Sequence, residues 1–176
     1  MNVLLVTILG SALTIAPQAF GSDEHAHAEH GAASLDITVQ GNKAQVAFEA
    51  STEDIYGLET QAKSDDEKRK ADASMNTLKS KFGEMLVLDP MLACKWKATD
   101  AQPWVVHGEK KQNDKVQHGE VHAKFDVECS GPMAGTRAKF AFKKFFPNIN
   151  KVKVKVANSG KVSNSEIKRD RGTVTL

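Results

Sequence analysis

Histidines and carboxylates are the residues of this chain whose type and spacing suggest chemistry. The six histidines fall into two groups, three within residues 25–30 and three within residues 107–122, and each group lies among acidic side chains. Imidazole and carboxylate groups are ligands that suit zinc, and imidazole also suits copper and nickel. Clustered histidines therefore indicate metal binding, against the alternative of exposed polar side chains without a ligand. The candidate metal ligands are His25, His27, His30, His107, His118, Glu120 and His122.

Three of these candidates are spaced two residues apart in one segment. They are His118, Glu120 and His122, which lie at the start of an extended stretch that alternates polar and apolar residues. Because side chains two apart in a strand project from the same face, the three should share a face opposite the core. Two imidazoles and a carboxylate supply most of a four-ligand zinc site, which His107 or His30 would complete.

Enzyme signatures are absent from the sequence. It contains no His-Glu-x-x-His metalloprotease motif, no glycine-rich phosphate loop and no Gly-x-Ser-x-Gly nucleophile turn. Residues 130–176 are basic, with 11 lysines and arginines against 2 acidic residues. The phenylalanines of that segment alternate as core residues do, so we expect no nucleic-acid partner. We therefore expect a protein that is not an enzyme.

The first 21 residues resemble a secretory signal peptide. Residues 3–16 form an apolar stretch too short to span a bilayer, and the small residues Ala19 and Gly21 stand at positions −3 and −1 of a cleavage site before Ser22. The alternative is a buried first helix. We predict a protein exported to the periplasm, soluble and without a membrane anchor.

The two cysteines lie in segments that alternate apolar and polar residues. Cys94 and Cys129 both fall on the apolar side of that alternation. Two inward-facing thiols in an oxidising compartment are expected to pair, which predicts a disulfide between them. The alternative, a nucleophilic cysteine with a histidine partner, would need a free thiol.

The chain is 176 residues long, room for one domain of ordinary size. We predict a flexible His-rich arm over 22–33 and a single domain over 34–176 with a polar loop at 103–117. Ser64 to Glu67 forms a capping box that begins a helix, and Gly83 is a plausible end for it. The remaining segments read as short strands joined by turns, which predicts an α+β fold: a β-rich antiparallel two-sheet domain with one main helix.

Several motifs then appear in a characteristic order along the mature chain. These are His27-Ala28-Glu29-His30-Gly31-Ala32-Ala33-Ser34-Leu35-Asp36, Tyr56-Gly57-Leu58-Glu59, Ala93-Cys94, His122-Ala123-Lys124-Phe125-Asp126-Val127-Glu128-Cys129, Phe145-Phe146-Pro147-Asn148-Ile149 and the terminal Thr173-Val174-Thr175-Leu176. In this order the chain resembles the ZrgA-like, zinc-regulated periplasmic zinc-binding proteins. The resemblance covers nearly all of the mature chain.

The resemblance implies a function in zinc acquisition. It implies a periplasmic accessory protein that binds zinc and assists a zinc ABC transporter or its solute-binding protein. Members of the family usually carry a long His/Asp-rich run in the central loop, whereas here residues 107–118 hold two histidines and three lysines, Lys110, Lys111 and Lys115. An envelope interaction module that has lost metal function is the alternative.

Overall fold

A computed structural model of the protein describes residues 29–106 and 118–176. The predicted signal peptide, His25, His27 and His107 lie outside these residues. In chain order the elements are β1 (Ala32–Gln40), β2 (Lys43–Ser51), α1 (Thr52–Tyr56), α2 (Asp65–Met85), β3 (Leu86–Val87), β4 (Lys95–Val105), β5 (Glu120–Glu128), β6 (Arg137–Phe140), β7 (Lys151–Asn158), β8 (Lys161–Lys168) and β9 (Thr173–Thr175), with short 3-10 turns at Pro90–Leu92 and Phe142–Lys144.

The strands form two sheets. Six strands pair in the order β4-β5-β2-β1-β7-β8, and three pair in the order β3-β6-β9. This confirms the predicted β-rich α+β class with two sheets and one main helix. One pairing differs from the antiparallel expectation, because β1 runs parallel to β7. The first strand of the domain therefore lies in the middle of the larger sheet.

The core lies between the apolar face of the larger sheet and α2. Period-two alternation places Leu35, Phe48 and Phe125 on that face, all almost fully buried. The helix contributes Met75, Leu78 and Phe82, which are buried on its inner side. The opposite face of the sheet carries polar side chains, and the candidate ligands Glu120 and His122 belong to it.

The long helix begins where the sequence predicts and ends two residues later than predicted. Ser64 caps it, and Glu67 completes the capping box. Gly83 lies inside the helix rather than at its end. A methyl group at this position would lie 2.6 Å from Cδ1 of Trp96, so the glycine lets the indole pack against the helix. None of the described helices is long and apolar enough to cross a membrane.

The disulfide prediction is confirmed: Cys94 and Cys129 are bonded. The alternating segments predicted from the sequence contain both cysteines, whereas in the structure Cys94 lies immediately before β4 and Cys129 immediately after β5. β4 itself continues to Val105, three residues into the loop predicted over 103–117. The disulfide thus fastens one end of the β4–β5 pair, and the candidate site lies at the other.

Candidate metal site

His30 lies in a tight turn at the start of the domain. The amide of Ala32 donates to the carbonyl of Glu29 at 3.0 Å, and Gly31 has a φ of 76°. A positive φ at the third residue of such a turn favours glycine, which explains the His-Gly pair. The turn and the start of β1 occupy the last residues of the predicted arm, 22–33, so its end is ordered structure.

The short helix α1 holds this turn with two consecutive carboxylates. Glu53 Oε2 lies 2.7 Å from Nδ1 of His30. Asp54 is buried and accepts hydrogen bonds from the amide of Gly31 and the hydroxyl of Ser51, both at 2.8 Å. Ser51 in turn caps α1 by accepting from the Asp54 amide. Glu53 therefore contacts the His30 side chain, while bonds to Glu29 and Gly31 hold the backbone on either side of it.

His118 approaches this turn from a distant part of the sequence. The ring centres of His30 and His118 are 5.5 Å apart, and the rings are inclined at 82°. Two imidazoles bound to one zinc at about 2.0–2.1 Å with a tetrahedral angle have ring centres about 5 Å apart. The 5.5 Å distance between the ring centres is close to this value, and Glu53 contacts His30 as carboxylates commonly contact a zinc-bound histidine.

The segment after His118 is positioned at the junction where β4 ends and β5 begins. We call this junction, formed by Pro103, Trp104 and Gly119, the neck. The amide of Thr52 donates to the carbonyl of Gly119 at 2.9 Å, and the Tyr56 hydroxyl donates to the carbonyl of Pro103 at 2.9 Å. Burial raises the pKa of Tyr56 above its usual range, which keeps this hydroxyl a donor. Trp104 packs against Gly119 so closely that a methyl group there would overlap the indole ring.

We expect Gly119→Ala to lower the free energy of unfolding by about 1–3 kcal/mol, the usual cost of overpacking. The change should also shift the tryptophan fluorescence, since Trp104 must move. Gly131→Ala is the matched control, because a methyl group there meets only Leu92 Cδ2 at an ordinary 3.9 Å. Urea unfolding and emission spectra of both variants test this. Equal stability of the two variants would contradict the close Trp104–Gly119 contact.

Glu120 and His122 form a second imidazole–carboxylate pair on β5. His122 Nε2 lies 3.0 Å from Glu120 Oε2, and their side chains are 21% and 9% exposed. Glu120 is buried although it lies on the polar face, where it stands between Val105 of β4 and Ser51 of β2. His118 precedes the strand, and its ring lies beside that of His30. Across residues 29–106 and 118–176, no three His, Cys, Asp or Glu side chains are arranged to share one metal ion.

Two carboxylates near His30, those of Glu53 and Glu29, are not among the ligands predicted from the sequence. Glu53 lies in Ser51-Thr52-Glu53-Asp54, and a capping pattern of this kind could have indicated α1. Both carboxylate oxygens of Glu29 lie 2.8 Å from Nζ of Lys151, and Nζ of Lys153 lies 3.2 Å from one of them. The hydrogen bond from Lys151 holds the pKa of Glu29 below its usual range, and the same contact raises the pKa of Lys151.

Comparison with known proteins supports the zinc interpretation. A family model described as ZrgA family zinc uptake protein matches residues 26–176. No curated protein matches the chain. The match begins within the His-rich arm and includes every described element, as well as both histidines of the 5.5 Å pair. The chain belongs to the ZrgA family of zinc uptake proteins.

Proposed function

We propose that the protein binds zinc in the periplasm and assists zinc acquisition through a zinc ABC transporter, without catalysing a reaction. Membership of a zinc uptake family supports a role in zinc uptake. The disulfide supports an exported protein, because such bonds persist in oxidising compartments. The observation that carries the proposal is the His30–His118 pair with its carboxylate partner Glu53.

Zinc would enter between the two rings. With Nδ1 of His30 engaged by Glu53, the ring presents Nε2 as its metal ligand. A carboxylate on the far nitrogen also makes the imidazole a better electron donor. The other ligands of a four-coordinate ion are predicted among His25, His27 and His107, outside the described residues. The His122–Glu120 pair would act as a weaker, separate binding position.

Alanine at either His30 or His118 should weaken the tightest zinc site at least tenfold, or about 1.4 kcal/mol, because each removes a direct ligand. The unfolding free energy of the metal-free protein should change little, since both side chains are exposed. Competition with a chromophoric chelator measures the affinity.

His122→Ala is the control, since its imidazole contacts Glu120 on β5. It should weaken the tightest site less than either of the other two substitutions does. Equal zinc affinity in all three variants and the wild type would exclude the His30–His118 site. If the wild type bound no zinc at all, the interaction module without metal function would be the better explanation. Copper and nickel titrations of the same variants identify the preferred metal.

A further inference from the structure

Glu29 joins the first turn of the domain to the seventh strand. Its carboxylate receives Lys151 Nζ at 2.8 Å on both oxygens and Lys153 Nζ at 3.2 Å on one. The Lys151 side chain is largely buried, at 22% exposed, whereas Glu29 and Lys153 are both 53% exposed. One end of this contact is thus held by packing, and the other lies in solvent.

The contact flanks His30 on its amino-terminal side, where it adds to the hydrogen bond between the Ala32 amide and the Glu29 carbonyl. After His30, the carbonyl of Gly31 accepts from the amides of Asn150 and Lys151 at 2.8 and 3.1 Å, and its amide donates to Asp54. Before His30, the Glu29 side chain binds the same strand, β7. The turn is therefore fastened to β7 on both sides of the residue whose ring faces His118.

We propose that Glu29 is a positioning residue for the zinc site: by binding Lys151 and Lys153 it holds His30 beside His118. The inference rests on the proposed zinc-binding function. A ligand that is already in place loses less conformational freedom when the ion binds, and this raises affinity. Because the contact is partly exposed and ionic, salt screens it, so zinc affinity inherits a dependence on ionic strength.

Glu29→Gln should therefore weaken zinc binding about two- to fivefold at low salt, the range expected from an exposed ion pair. Raising NaCl from about 0.05 to 0.5 M should weaken the wild type more than this variant, since the variant has no ion pair left to screen. Glu84→Gln is the matched control. Glu84 is 48% exposed and also accepts from two lysines, Lys81 at 2.8 Å and Lys144 at 3.5 Å, but it lies on α2. The control should match the wild type in affinity and in salt dependence.

A second background separates positioning from direct ligation. If Glu29 acts through the lysines, then in a Lys151→Met/Lys153→Met protein the further change Glu29→Gln should leave zinc affinity unchanged. A further loss in that background would identify Glu29 as a zinc ligand and overturn the proposal. An unaltered affinity of Glu29→Gln in the wild-type background would overturn it as well.

The metal-free protein provides a readout that does not require zinc. NMR signals of the His30 and His118 ring protons should change in Glu29→Gln and stay as in the wild type in Glu84→Gln. This result would support the positioning role even if the chelator competition excluded zinc at the two histidines, so the two hypotheses can fail separately. Ring signals that are identical in Glu29→Gln and the wild type would contradict the positioning role of Glu29.

Discussion

Replacing Phe82 with alanine should lower the free energy of unfolding by about 3–5 kcal/mol, the range for a fully buried phenylalanine. Phe82 is 0% exposed and lies at the centre of an aromatic cluster. Its ring stacks on Phe125 with centres 3.8 Å apart and meets Phe48 and Phe142 edge-on at 5.8 and 5.9 Å. The cavity cannot close readily, because its walls belong to different strands and to the 3-10 turn at Phe142–Lys144.

Urea unfolding followed by circular dichroism measures this loss. Phe145→Ala is the matched control, since it removes the same atoms from a partly buried corner where Lys144 covers the ring at 4.9 Å. Its loss should be clearly smaller. A Phe82 variant as stable as the Phe145 variant would show that the cluster does not anchor α2 on the sheet.

Removing the disulfide by Cys94→Ala together with Cys129→Ala should cost about 3–4 kcal/mol in the loop-entropy model. The bond closes a loop with a sequence separation of 35, so the unfolded chain gains considerable freedom without it. The native state keeps other bonds at this end of the sheet. Ser130 donates to the carbonyl of Leu92 through its amide and its hydroxyl, at 2.8 and 2.9 Å, so the fold should survive.

The unfolding midpoint in urea, measured with and without a reductant, tests the disulfide directly. Reduction should destabilise the wild type to about the level of the double variant and leave the double variant unaffected. The denatured wild type should react as a protein without free thiols. Two reactive thiols in that assay, or a reductant-insensitive wild type, would contradict the prediction.

Local patterns were sufficient to predict the strands, the long helix and the disulfide. Strict alternation of apolar and polar residues along β5 and β7 indicates strands buried on one face. The capping box of Ser64 and Glu67 indicates the start of a helix. Periodicity did not predict the five-residue helix α1, because the helix is shorter than two turns. The prediction that the helix ends at Gly83 is wrong. A glycine is needed there because the Trp96 indole packs against it, and Trp96 lies on another element.

The candidate site depended on tertiary contacts that no local pattern contains. His118 was expected to share a strand face with His122, but β5 begins only at Glu120. Its ring instead meets His30, which lies 88 positions earlier in the chain. That meeting depends on the turn of Gly31 and on the neck at Gly119. Sequence spacing could therefore identify the residue types suited to zinc, whereas the partner of each was decided by the packing of the fold.

The neck between β4 and β5 allows the central segment of this protein to be replaced by a segment of another sequence or length. Val105 pairs with Glu120, and Trp104 packs on Gly119, so the chain leaves and re-enters the body at adjacent points. For a loop whose two ends are held at adjacent points, doubling the loop length adds only about 0.6 kcal/mol of closure entropy. Its histidine content and length can therefore diverge between relatives while the sheet stays intact. Metal capacity and folding stability are then free to evolve at separate rates.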